Sequence, residues 1–280
     1  MSVARLTGAG GFASLSRNEM LVRLASAAIL AALTLAATWF GGWAAALGVS
    51  VAVVVVHLEW IGLTGDRLAT ALLFTALLVA SFALLVAGYA APATGLASLA
   101  VVAAALAARG PWRPAGVAYC AVLGLGLLLL RQAPEDGLTA VIFVFAVVWG
   151  TDSGAFFVGR AIGGPKLWPA ISPKKTWAGA VGGLVAGVAA GLVVAALAQV
   201  GVGLAVALVS ALLSLSAQAG DLFESAIKRH FGAKDSGVIV PGHGGLMDRV
   251  DGLVFGIAAA VIVGLLHGGP SHLAAGLLTW

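Results

Sequence analysis

From Leu68 to Ala108, and again from Trp177 to Gly220, the chain carries no Asp, Glu, Lys or Arg. Stretches this apolar are rarely found facing water, whereas a bilayer core of roughly 30 Å is crossed by about 20 apolar residues of helix. Runs of about that length recur along the sequence. Of 280 residues, 61% are hydrophobic and only 9% charged, against roughly a quarter charged in soluble domains. No water-soluble fold covers its surface with so few charges. The expected fold class is therefore all-α, a polytopic transmembrane helical bundle.

Nine spans are expected, approximately Val22–Phe40, Gly42–Ile61, Leu68–Ala87, Ala93–Ala108, Ala115–Leu130, Leu138–Gly150, Ala178–Val200, Val202–Gly220 and Gly252–His267. The sixth is short, and the tail from Gly268 to Trp280 is either re-entrant or interfacial. With the N-terminus cytoplasmic, 14 of the 15 Lys and Arg face the cytoplasm and only Arg131, beside Glu135 and Asp136, lies outside. Positive charge is retained on the inner face. A multi-pass protein of the cell (inner) membrane with its active site facing the cytoplasm is therefore expected. The first run, followed by further spans, reads as a retained helix rather than a cleaved signal peptide. The net charge of +4 fits this bias and attraction to membrane lipids with anionic headgroups, not nucleic acid. Cys120, the single cysteine, sits in an apolar run and has no intrachain disulfide partner.

Chemistry divides the chain in two. Residues 1–137 are transmembrane helices without a lysine. Residues 138–280 form a catalytic transmembrane region whose cytoplasmic segments, 151–177 and 221–251, hold all five lysines. Between them Gly179, Gly183, Gly187 and Gly191 repeat every four residues, a stripe that admits a close helix backbone. Packing within the chain is its expected use, with a homodimer seam as the alternative.

The densest chemistry lies in Ser225–Asp251, SAIKRHFGAKDSGVIVPGHGGLMDRVD, with cations Lys228, Arg229, Lys234 and Arg249 and carboxylates Asp235, Asp248 and Asp251. Beside a membrane each such group needs water, a partner or a ligand. No breaker precedes Gly232, so a continuing helix puts Asp221, Glu224, Ser225 and Lys228 on one face. An ordinary Glu224–Lys228 pair is the alternative reading for those two. Gly232, Gly237, Gly242, Gly244 and Gly245 allow positive φ and close approach to a ligand. With the four cations they suggest a polyphosphate cradle.

A helix starting near Leu246 opens with Asp248 and Asp251, where acids also serve as caps. Asp221 and Asp248 are expected to converge across the loop on Mg²⁺, for which two carboxylates plus phosphate oxygens are usual ligands. In the other polar segment, Asp152 and Ser153 end the sixth span. Arg160, Lys166, Ser172, Lys174, Lys175 and Thr176 follow, as candidate nucleotide or headgroup contacts. There is no Walker A sequence. Glu59, inside span two, is either functional or paired with His57 or the interface. His243 is an acid, a phosphate donor or a loop-shaping group.

These residues resemble the signature of the phosphatidate cytidylyltransferase (CDP-diacylglycerol synthase) family: S-x-x-K-R, four residues, K-D, then P-x-H-G-G-x-x-D-R-x-D. GDLFES, SPKKTWAG and DSGAFFVGR are similar to that family too, and Val240 stands where it more often has Leu, Ile or Phe. The resemblance implies a Mg²⁺-dependent reaction of CTP with phosphatidate, giving CDP-diacylglycerol and pyrophosphate in phospholipid biosynthesis. A second metal ion is an alternative. In that reaction Lys228, Arg229, Lys234, Asp235, His243, Arg249 and Asp251 would be catalytic. Asp152, Ser153, Ser172, Lys174, Lys175, Thr176, Ser225, Gly244 and Gly245 would contact substrate, and Asp221 and Asp248 the metal. The rivals are a CTP-dependent enzyme acting on an ether lipid or polyprenol, an ion-coupled transporter, and a noncatalytic scaffold.

Overall fold

In the computed structural model of the chain the described residues are 17–108, 110–237 and 244–280. Of the residues singled out above, Val240, Gly242 and His243 lie outside them. The helices in chain order are α1 (Arg17–Phe40), α2 (Gly42–Thr64), α3 (Leu68–Val86), α4 (Ala90–Leu106), α5 (Trp112–Ala121), α6 (Leu127–Gln132), α7 (Gly137–Ile162), α8 (Trp177–Ala198), α9 (Leu204–His230), α10 (Met247–Gly268) and α11 (Leu273–Leu278). A π turn, Val122–Gly126, joins α5 to α6 in one continuous rod. It falls where Gly124 lies against the Phe82 ring and Gly126 against Ile257.

Among the described residues seven helices are long and apolar enough to cross a membrane: α2, α3, the α5–α6 rod, α7, α8, α9 and α10. Ala28–Phe40 and Ala90–Leu106 are apolar but shorter. Two departures from the sequence reading matter for function. The helix that contains the sixth span does not stop at Gly150: α7 continues to Ile162, because no breaker occurs before Gly163, Gly164 and Pro165. Asp152 and Ser153 therefore ride on a continuous helix. The following segment also contains a small antiparallel hairpin, β1 (Lys166–Trp168) and β2 (Ser172–Thr176), pairing Lys166 with Thr176 and Trp168 with Ser172.

The glycine stripe of α8 is consumed inside the molecule. A Cβ at Gly183 would lie 2.8 Å from the Thr151 carbonyl, and one at Gly187 2.3 Å from Thr151 Oγ1. One at Gly191 would lie 2.2 Å from Ser210 Oγ. The stripe thus seats α7 on one side and α9 on the other, with Thr151 and Ser214 hydroxyls bonded at 2.7 Å across the seam. The stripe is used for packing within the chain.

Packing collects the polar segments at one end of the bundle. There Asp66 accepts from Nε and Nη2 of Arg113 at 2.7 and 2.5 Å. Trp60 Nε1 donates to the Trp112 carbonyl at 2.9 Å, and the Trp112 ring meets Phe231 at the end of α9. At the opposite end Arg131 donates to the carbonyls of Thr38 and Trp39, at 2.5 and 3.0 Å. These are terminal carbonyls of α1, which a cation satisfies well. The C-terminal tail folds back on the bundle: α11 buries Leu273, Leu277 and Leu278 and packs on α10 and α7.

Candidate active site

The continuation of α9 beyond Gly220 holds as expected and places Asp221, Glu224 and Lys228 toward neighbouring elements. Its antiparallel packing with α10 is fixed by two glycines. Gly220 sits against the Asp251 carbonyl and Phe255, and Gly252 sits against Ala217. That register decides which charged groups meet.

Near the end of α9, Lys228 Nζ lies 2.6 Å from Glu224 Oε2 and 2.5 Å from Asp248 Oδ1. All three are largely withdrawn from solvent, with side-chain exposures of 12%, 1% and 10%. The other oxygen of Asp248 accepts from Ser236 N at 3.1 Å, Ser236 Oγ at 2.9 Å and Gly245 N at 2.9 Å. An ionised carboxylate offers about two lone-pair sites on each oxygen; Oδ2 of Asp248 is saturated, while Oδ1 is paired with Lys228.

About two turns before Lys228 on α9, Asp221 forms an ion pair with Lys175 of β2. Asp251 lies within the field of Asp221, Asp152 and Lys175, and Asp152 within that of Asp221, Lys175 and Arg249. Three acids from three helices, α7, α9 and α10, thus share one region with two cations. Asp248 is bonded to Lys228 and the loop, and the acids sharing the field of Asp221 are Asp152 and Asp251. Among the described residues no three His, Cys, Asp or Glu side chains are grouped closely enough to hold an ion as they stand.

Several expected substrate contacts have structural duties. Thr176 is buried and caps α8, its hydroxyl accepting from Gly179 N at 3.1 Å. Arg229 donates to the carbonyls of Ile171 and Ala233, at 3.4 and 3.1 Å, tying the hairpin to the loop after α9. Ser153, Lys174, Lys234, Asp235 and Arg249 are exposed, and Ser172 and Ser225 half-buried on the same segments. The loop glycines divide by purpose. Gly232 and Gly244 adopt φ of 69° and 83°, which L residues rarely reach, whereas Gly237 and Gly245 make room for neighbouring side chains.

Sequence reasoning missed two groups and the partner of a third. Ser236, buried beside the K-D pair, holds Asp248. Tyr119 of α5 has a buried hydroxyl without a hydrogen-bond partner among the described residues, as has Glu224 Oε1. Tyr119 lies in the field of Glu224, Asp248 and Asp251, and nothing in its surrounding apolar run signals this. Glu59 was visible as an intramembrane acid but its target was not. It does not pair with His57, which bonds Thr75 Oγ1 at 2.7 Å. Instead Glu59 accepts from the backbone N–H groups of Leu246 and Met247, at 2.9 and 2.7 Å.

A family model described as "Cytidylyltransferase family" matches residues 21–267. The chain is 50% identical over 164 residues to the phosphatidate cytidylyltransferase of Brucella abortus biovar 1 (strain 9-941), covering 59% of this chain and 61% of that protein. It is 50% identical over 159 residues to that of Brucella suis biovar 1 (strain 1330), covering 57% and 59%. To that of Staphylococcus saprophyticus it is 46% identical over 143 residues, covering 49% and 55%. The chain thus spans about three fifths of the length of the curated relatives it matches.

Proposed function

Because the chain belongs to the cytidylyltransferase family, we propose that it transfers the cytidylyl group of CTP to phosphatidate, within phospholipid biosynthesis. A phosphate oxygen of phosphatidate attacks the α-phosphorus of CTP. The bond from that phosphorus to the bridging oxygen breaks, and pyrophosphate leaves. The nucleophile is already an anion, so the barrier lies in bringing anions together and spreading charge, which positioned cations and dipoles lower.

The observation that carries this reading is the Asp221–Lys175 ion pair at the polar end of an otherwise apolar bundle, with Asp152 and Asp251 in the field of both. All-oxygen donors suit a hard divalent cation, and Mg²⁺ commonly takes one or two carboxylates with the rest from phosphate and water. Asp221 and Asp251 are the residues that would hold it, with Asp152 beside them. Asp248 fits less well, its acceptor sites being engaged by Lys228, Ser236 and Gly245. When bound, the ion would withdraw charge from the phosphates. Lys175, released from Asp221, and Arg249 are placed to neutralise the remaining phosphate oxygens. The half-buried Lys228, held between Glu224 and Asp248, keeps α9 and α10 in register.

The acyl chains remain in the bilayer. An apolar lateral groove between α4, the π turn and α10, lined by Ala97, Val101, Leu125, Gly126, Ala258 and Ile262, supports sideways entry. Ala258 and Ile262 follow Asp251 by about 10 and 16 Å along α10. In this reading the site faces the cytoplasm across the inner membrane, where CTP is supplied.

The test incubates the purified protein with radiolabelled CTP, phosphatidate and Mg²⁺ and follows label into the organic phase. Label in a lipid product requiring all three supports the reading. Absence of label, or label only when an ether lipid or polyprenyl phosphate replaces phosphatidate, overturns it.

A further inference from the structure

We propose that Glu59 is a positioning residue of the transfer reaction, and that Gly237 and Gly245 lack side chains in order to receive its carboxylate. The functional part of this inference rests on the reading above; the geometric part does not.

The N-terminus of α10 has an unusual cap. Its N-cap residue is Leu246, which supplies no side-chain acceptor. The first N–H groups of a helix need acceptors and carry the positive end of its dipole. Here the acceptor comes from α2, 187 residues earlier in the chain: Oε1 of Glu59 takes Leu246 N–H at 2.9 Å and Oε2 takes Met247 N–H at 2.7 Å. Glu59 is 4% exposed. An acid at such a depth persists when it is paired or hydrogen-bonded, and this one is bonded in a two-pronged way.

The walls of its socket are glycines. A Cβ at Gly237 would lie 2.8 Å from Glu59 Oε1 and 3.0 Å from its Cγ. A Cβ at Gly245 would lie 2.8 Å from Oε2 and 2.0 Å from Ser236 Oγ. Neither glycine has positive φ, so turn geometry does not explain them. What they provide is room for the carboxylate.

The socket communicates with the reactive end through Ser236. Its hydroxyl lies 3.4 Å from Glu59 Oε2 and 2.9 Å from Asp248 Oδ2, and Asp248 in turn holds Lys228. Glu59 therefore fixes the start of α10, and with it the placement of Asp248 and, one turn on, Asp251. It also fills a helix N-terminus with a resident anion. Substrate phosphate is thereby kept from that position and left to Lys175 and Arg249.

A mutant cycle tests this on the purified full-length protein in detergent. Glu59→Asp withdraws the carboxylate by one methylene, and Gly237→Ala pushes into the same space. Each alone is expected to lower kcat by roughly tenfold to a hundredfold, the scale of a misplacement near 1 Å, with KM for CTP little changed. The pair is expected to turn over at least about fivefold faster than the product of the single effects, because shortening the acid makes room for the methyl. The Tm losses are expected to be less than additive in the same sense. Strictly multiplicative kcat values together with additive Tm losses overturn the socket. Glu59→Gln keeps the volume but turns a donor toward backbone donors; wild-type kcat in that variant overturns the positioning role. The Tm cycle needs no substrate. A wild-type protein that makes no lipid product therefore sinks the functional reading alone, whereas additive Tm losses sink this one.

Discussion

Replacing Lys228 by methionine keeps the aliphatic stem and removes the one cation shared by two withdrawn acids. In the native protein its Nζ lies 2.6 Å from Glu224 Oε2 and 2.5 Å from Asp248 Oδ1. Removing one member of a buried ion pair costs about 3–5 kcal/mol, chiefly because the other charge is stranded. The two acids would not suffer equally. Asp248 keeps three hydrogen bonds, from Ser236 N, Ser236 Oγ and Gly245 N. Glu224 is 1% exposed and its Oε1 has no partner among the described residues, so most of the cost falls there. Adding Glu224→Gln removes the stranded charge, and the double variant should recover about half of the loss, roughly 2 kcal/mol. Thermal unfolding of the purified full-length protein in detergent, followed by loss of the monodisperse chromatographic peak, reads this out. The single variant is expected to melt on the order of 10 °C below wild type. A Lys228→Met protein melting within about 2 °C of wild type, or a double variant no more stable than the single, would refute the role of Lys228 as counter-ion to both acids.

Asp221→Asn and Asp251→Asn are each expected to cut turnover by at least about a hundredfold while leaving chromatographic behaviour unchanged; wild-type kinetics in either removes that acid from the reacting centre. Gly187→Val forces a branched side chain to within 2.3 Å of Thr151 Oγ1 and 3.0 Å of Ser214 Oγ, and is expected to cost about 1–3 kcal/mol or more. Val185→Leu, on the exposed face of the same helix, is the control, and equal Tm values for the two variants would contradict the packing of α8. The Arg113 guanidinium, hydrogen-bonded to Asp66, holds that carboxyl below the usual carboxylate range. A lowered folded value means that the contribution is complete above the unfolded value, near pH 4, and lost as pH falls through the folded one. The Tm gap between wild type and Asp66→Asn should therefore be constant above about pH 4 and close below it; a gap that widens in acid has the wrong sign.

How far the sequence could be read depended on whether a residue's partner was near it in the chain. The apolar runs locate most helices because burial in lipid acts on each segment separately. The continuation of α9 to His230 followed from the absence of a breaker before Gly232, and the shared face of Asp221, Glu224 and Lys228 from helical spacing alone. The end of α7 is not marked by the charge at Asp152, because a charge bears on membrane depth whereas the backbone conformation is interrupted only at Gly163 and Gly164. Long-range partners were not legible. Nothing near Glu59 points to Leu246, and the glycines of the loop look alike until structure separates those with positive φ from those that face a carboxylate. The acids show the same limit most sharply. Asp221 and Lys228 are seven residues apart, about 10 Å of helix. With α10 running antiparallel and seated by Gly220 against the Asp251 carbonyl, the acid that reaches Lys228 is held a helical turn away from the level of Asp221. Spacing alone leaves open whether Asp248 or Asp251 lies level with Asp221; that depends on the register at which Gly220 seats the facing helix.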